Sequence, residues 1–355
     1  MGAAEEILFE RRGGIAIVTL NRPKALNALS QGMCQALFDG LQSWQDDPGT
    51  HAVVIKGEGE RAFCAGGDIR AIYDLLVAGG TDAAVGFYAL EYPMNARLHR
   101  FTKPYVALLD GITMGGGVGV SVHGSHRVAT ERTLFAMPET GIGFFPDVGA
   151  TYVLPRLGGG LGLYLGLTGA RLKAADCLEA GLATHYVSAG RLPALEEALA
   201  EADLSRDAHA AVDAVLGHFA GDPGPAALAE LRPRIDACFD QPSLAAVLDG
   251  LAREETGWGR AQLDQLGSKA PTSLAVAFRQ LRAGDTLDFE AAMRLEYRLV
   301  HRFMAGHDFR EGVRALLVDK DNTPRWRPAR LQDIAVADLD AYFAPLPHGD
   351  LPLSM

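Results

Sequence analysis

Three consecutive glycines, Gly115 to Gly117, separate a strand-like run from a helix-like one in "DGITMGGGVGVSVHG", residues 110–124. Glycine is costly inside either element, because it loses the most backbone entropy on folding and buries no side chain. The run therefore predicts a junction where something approaches the backbone more closely than a Cβ allows. Three familiar glycine motifs fail here. A dinucleotide fingerprint G-x-G-x-x-G/A would end on Val120 or Val122, a phosphate loop would need Gly-Lys-Ser/Thr, and the nucleophile elbow G-x-S-x-G would end on His123. What remains is a strand ending near Asp110 and a helix beginning near Gly116, whose first N–H groups have no partner within the helix and face the positive end of its dipole. Such donors suit an oxyanion hole. Close packing of helices is the other use of small residues at such a place.

A second glycine loop, "RAFCAGGDI" (61–69), follows the β-branched run "AVVIKG" (52–57) and leads into the helical "IRAIYDLL". Two such loops can aim two backbone donors at one oxygen. In a third stretch, "FAMPETGIGFFPDVGATYVLPRL", Glu139 and Asp147 lie among apolar neighbours such as Phe144, Phe145 and Pro146. Carboxylates in such surroundings are expensive unless paired or kept for chemistry.

These loops belong to an α/β pattern. Strand-like "IAIVTL" (15–20) is followed by a helix behind Ser30 as N-cap, then by the strands at 52 and 105. From about Leu192 the β-branched runs stop and Leu and Ala dominate, which predicts a mainly helical remainder whose apolar stripe over 192–252 is core. The expected domains are residues 1–200 and 201–355. Thirty-three Lys and Arg against 44 Asp and Glu, net −11, argue against nucleic acid as a partner. No run approaches the roughly 18 apolar residues of a membrane span. Cys34, Cys64, Cys177 and Cys238 form no CxxC and read as reduced thiols. These features lead to the expectation of a cytoplasmic protein. His123 and His126 share no third ligand at a telling distance, so both read as structural and no metal is expected, while Cys64 reads as packing.

The segments "RPKALNAL", "AFCAGGDI", "DGITMGGGVG" and "MPETGIGFFPDVG", in this order and spacing, resemble the crotonase (enoyl-CoA hydratase/isomerase) superfamily, and the likeness runs on through "LTGARLKAADCLEAGLATHYV" and "GHDFREGVRALLVDKDNTPRW". The resemblance implies a spiral of ββα units followed by a helical C-terminal region. It also implies an acyl-CoA substrate whose thioester oxygen is held by the N–H groups of Gly67 and Gly116. Hydratases of this superfamily use two glutamates, one at the position of Gly119 and one at that of Glu139. Only the second is present here, which argues against hydration, although isomerases of the superfamily work with one. Asp147 in "FFPDVG" and Glu91 in "LEYPMN" resemble the hydrolase branch, with Glu91 at a substrate-binding position. The resemblance thus implies hydrolysis of a short 3-hydroxyacyl-CoA thioester, as in valine breakdown. Glu139 either attacks the carbonyl or activates water, and Asp147 orients water or the acyl hydroxyl or protonates the thiolate. An isomerase or hydratase, and a non-catalytic acyl-CoA-binding protein, are the alternatives. CoA contacts fall by the same likeness on Lys24, Ala25, Leu26, Ala65, Asp68 and Ile69, with Arg22 or Lys320 as phosphate contacts and Phe309 as core. No cofactor is implied, since CoA is part of the substrate; superfamily members commonly form trimers, so a homo-oligomer is compatible.

Overall fold

The computed structural model describes residues 3–353. Among these residues nine strands form two sheets. β1 (Ile7–Arg12), β2 (Ile15–Leu20), β3 (Ala52–Gly57), β5 (Tyr105–Leu109), β7 (His126–Ala129) and β9 (His185–Tyr186) make the larger sheet, in the order β1-β2-β3-β5-β7-β9. β4 (Ala62–Cys64), β6 (Ile112–Met114) and β8 (Leu134–Ala136) make the smaller one, in the order β4-β6-β8. Only β1 and β2 pair antiparallel; every other ladder is parallel. After β2 the chain repeats one step three times: a strand in the large sheet, a short strand in the small sheet, then a loop and a helical turn. This is the spiral of ββα units expected above.

The two-residue period of the strands divides the large sheet between two cores. Ala16, Val18, Leu20, Val53, Ile55, Ala107 and Leu109 face one; Ile15, Ile17, Val54, Val106, Leu108 and Val128 face the other. Strands buried on both faces need apolar residues at nearly every position, which is why they read as unbroken β-branched runs. The second core is closed by Leu195, Leu199, Val212 and Leu216 from helices Leu192–Glu201 and Ala208–Phe219, immediately after the last strand. The change of texture near residue 192 is therefore the point where the chain leaves the sheets and begins to cover them.

On the opposite face lie the helices Gln31–Asp46, capped by Ser30 through its hydroxyl, Thr81–His99, Pro271–Gly284 and Phe289–Ala305. Phe309 sits in this core with no exposed surface. Among the described residues no helix is long and apolar enough to cross a membrane.

Candidate active site

The loops that leave the C-terminal ends of β4, β6 and β8 converge on a cavity of about 300 Å3 lined by Gly66, Gly67, Gly115, Gly116, Glu139 and Asp147, among others. Carboxyl ends of parallel strands are where α/β sheets place their ligand sites. The helix Thr81–His99 supplies the opposite wall with Phe87, Tyr88 and Glu91, one turn apart on one face.

The two glycine loops touch. A Cβ at position 116 would lie 2.6 Å from Glu91 Oε1 and 3.1 Å from the Gly67 nitrogen, so only glycine fits there. Neither the Gly67 nor the Gly116 amide finds a protein acceptor among the described residues. Gly115 takes the left-handed φ of +48° that turns the chain into this arrangement. The helix after it differs from expectation: it is one turn, Gly116–Gly119, and a further short strand, β6, precedes it. Four residues carry little macrodipole, so the site has two free local donors rather than the end of a long dipole.

Glu139 opens a 3-10 turn after β8 and is buried, and its Oε2 has no hydrogen-bond partner among the described residues. Its Oε1 lies 3.4 Å from where a Cβ on Gly115 would stand. Burial pushes its carboxyl well above the usual range and the charge of Asp147 adds to this, while the nearby Lys269 ammonium opposes it. Glu91 is likewise buried with Oε1 unbonded, and burial together with Asp147 and Glu296 raises it. Asp147 accepts a 2.9 Å hydrogen bond from the Tyr92 hydroxyl. Desolvation lifts its carboxyl to about 7 against that bond. Three acids in a small apolar cavity, two of them with a bare oxygen among the described residues, are the kind of cluster that marks a candidate functional site.

Asp147 stands on a strained turn. Val148, β-branched, has φ +53°, a conformation costing about 1–3 kcal/mol that persists only where the surroundings hold it. Its Cβ occupies the space beside Gly119: a Cβ at 119 would come within 2.7 Å of it and 2.8 Å of Asn95 Nδ2. The place where a second glutamate would stand is filled.

Of the residues expected to meet CoA, Ala65 and Ile69 line the cavity, and Lys24, Ala25, Leu26 and Asp68 do not. Leu26 is tied in through its carbonyl, which accepts from the Ala65 amide at 3.0 Å. Asp68 caps the helix Ile69–Val77 through the Ala71 amide and pairs with Arg22 at 2.7 Å. Arg22 also reaches Glu6 and the Ala28 carbonyl, so its guanidinium is engaged within the protein. His123 and His126 have separate partners, the Val148 carbonyl and Asp213 respectively. Cys64 is fully buried, its thiol pushed up to about 12 by desolvation, in keeping with packing. Sequence reasoning overlooked Lys269 and Leu316, which line the cavity, and Tyr92, which holds Asp147 from behind it. Tyr92 directly follows Glu91, and helical spacing sets it one turn from Tyr88; for Lys269 and Leu316 no local signal exists.

Residues 15–343 match the enoyl-CoA hydratase/isomerase family. Among curated proteins, the mitochondrial 3-hydroxyisobutyryl-CoA hydrolase of Gallus gallus is 46% identical over 360 residues, 99% of this chain and 92% of its own. The protein of the same name from Rattus norvegicus is 47% identical over 98% of this chain and 90% of its own. Among solved structures, a carnitinyl-CoA dehydratase from Mycobacterium thermoresistibile has a TM-score of 0.90 at 41% identity, covering 97% of this chain and 98% of that one. An enoyl-CoA hydratase from Rhodobacter sphaeroides 2.4.1 has a TM-score of 0.86 at 37% identity, covering 98% and 99%.

The expectation of a cytoplasmic protein does not stand, because these curated relatives are named as mitochondrial. It rested on reduced thiols and the lack of an apolar span. Both are equally compatible with any reducing compartment, so neither separates cytosol from mitochondrion.

Proposed function

This chain belongs to the enoyl-CoA hydratase/isomerase family, and on that premise we propose that it hydrolyses 3-hydroxyisobutyryl-CoA to 3-hydroxyisobutyrate and CoA. The observation that carries this reading is a buried glutamate with a bare oxygen, Glu139, in one cavity with two acceptor-less amides from separate loops, Gly67 and Gly116. The amides hold the thioester oxygen as charge develops on it, where each such donor is worth about 2.7–4 kcal/mol in the transition state. Glu139 works on the carbonyl carbon, forming a mixed anhydride or taking a proton from the attacking water. Asp147, its carboxyl lifted to about 7, is partly protonated at neutrality; in that form it gives its proton to the departing thiolate, while the proton released from water restores the acid. The bare oxygen of Glu91, beside Gly116, accepts from the acyl hydroxyl. Ala65 and Ile69 at the cavity wall contact the pantetheine arm.

The two solved relatives are named for hydration chemistry, and position 119 argues the other way. Adding water across a double bond needs one proton removed from oxygen and another returned to carbon. With Gly119 crowded by Val148, the second carboxylate has no place.

Free-thiol release across a panel of acyl-CoA thioesters tests the assignment. Release should be fastest with 3-hydroxyisobutyryl-CoA. Loss of enoyl absorbance without thiol release would make the protein a hydratase, and binding without turnover would make it a carrier or sensor.

Asp147 also sets a pH signature of stability. In the unfolded chain its carboxyl ionises near 3.9, whereas in the fold it holds its proton to about 7. Its contribution to stability is thus complete below about pH 4 and lost as pH rises through 7. Asp147→Asn keeps an acceptor for Tyr92 and removes the charge. Its melting temperature should exceed that of the wild type at pH 8 and match it near pH 4; equal melting at both would show that this carboxyl is not held protonated.

A further inference from the structure

The turn bearing Asp147 is gripped at four successive points by side chains that take no part in the chemistry above. Gln280 Nε2 donates to the Pro146 carbonyl at 2.6 Å and to the Thr151 hydroxyl at 2.7 Å. His123 Nε2 lies 2.8 Å from the Val148 carbonyl. A carbonyl only accepts, so that nitrogen carries the proton, consistent with a buried ring whose pKa is lowered to about 3 by desolvation. Glu296 accepts from the Gly149 amide through Oε2 at 2.8 Å and from the Thr151 amide through Oε1 at 2.9 Å. Glu296 and Gln280 are both completely buried.

Neither belongs where it stands on grounds of burial. Glu296 is on the helix Phe289–Ala305 at a position whose neighbours on the same stripe are Met293, Leu299, Val300 and Phe303. Gln280 is on the helix Pro271–Gly284 between Ala277 and Leu281, both in the core. Buried polar side chains at core positions destabilise unless engaged; both oxygens of Glu296 and the Nε2 of Gln280 are engaged on residues 146–151, while Gln280 Oε1 has no partner among the described residues. A strained Val148 in the middle of the turn would relax without such restraint, and Asp147 would lose its aim.

We propose that Glu296 is a positioning residue for the thioesterase reaction: its two carboxyl oxygens clamp the amides of Gly149 and Thr151 and so hold Asp147 in reach of the reacting group, with Gln280 as second point of the clamp. The proposal rests on the hydrolase reading above. Glu296 itself is not among the residues that line the cavity.

Glu296→Gln preserves shape but leaves one acceptor for two amides. A misplacement of about 1 Å costs a catalytic group on the order of 10²-fold, so kcat for thiol release should fall by about 10- to 100-fold with KM within about twofold of wild type. Hydrogen exchange at the Gly149 and Thr151 amides should accelerate at least about tenfold while circular dichroism stays native. A kcat within twofold of wild type, or unchanged exchange at both amides, overturns the clamp. Gln280→Met, similar in length and without donors, gives the same kcat-against-KM split in a smaller amount and serves if Glu296→Gln does not fold; wild-type kcat in it then overturns the proposal. If wild-type protein releases thiol from no acyl-CoA, the hydrolase reading fails. The clamp is then decided by exchange alone, acceleration sustaining it and constancy overturning it.

Discussion

Glu139→Gln should retain the fold and the affinity for CoA while CoA release falls by at least about 10²- to 10⁴-fold, the range expected for loss of a positioned acid or base. The substitution keeps the volume of a side chain that is already buried, and it removes a carboxyl that burial and the charge of Asp147 both hold in an unfavourable state when ionised. Stability at neutral pH should therefore rise slightly rather than fall. This opposite movement of stability and activity marks a functional residue. A loss confined to the stated range fits general-base action; activity below detection fits direct attack, since a nucleophile has no substitute. Turnover like that of wild type, measured by thiol release, would remove Glu139 from the mechanism and with it the present reading.

Which parts of this site were legible in the sequence follows from how locally each was determined. The glycine loops announced themselves because close approach leaves only one residue type: a Cβ at Gly116 would meet Glu91 and one at Gly117 the Cys64 carbonyl. Glu139 and Asp147 stood out as acids among phenylalanines. The short strands β4 and β6 did not, since three residues of backbone pairing leave no period to read. The macrodipole at Gly116 was overestimated for the same reason, as "GGVGVSVHG" cannot show that its helix stops after one turn. The clamp was recoverable in part. Along Phe289–Ala305 the buried positions fall at 289, 292, 293, 295, 296, 299, 300, 303 and 304, and the acid at 296 is the one charged residue among them. Its target on residues 149–151 was not recoverable, because that contact spans about 145 residues of chain. The ion pairs of Arg22 were not legible either, because its partners Glu6 and Asp68 are remote in sequence.

Gly119→Glu should not create a hydratase. The substitution restores the carboxylate that two-glutamate relatives of the resemblance carry, yet its Cβ alone would stand 2.7 Å from Val148 Cβ, 2.8 Å from Asn95 Nδ2 and 3.2 Å from Val148 Cγ1. Val148 and Asn95 are both fully buried, and Val148 cannot swing aside because its carbonyl is held by His123 and its neighbour's amide by Glu296. Overpacking of this kind costs about 1–3 kcal/mol, so Gly119→Ala by itself should lower the unfolding free energy by that amount, read from denaturant midpoints. The glutamate adds a charge to a dry place and should cost more. Any relief has to come from displacing the Val148 turn, and Asp147 moves with it, so CoA release should fall together with stability in both variants. The two effects share one cause, which distinguishes them from a surface or solubility defect. A Gly119→Glu protein with wild-type stability and a gained enoyl-CoA hydration rate would show that the turn yields readily, and that what separates hydrolysis from hydration in this chain lies elsewhere than in the contact between residues 119 and 148.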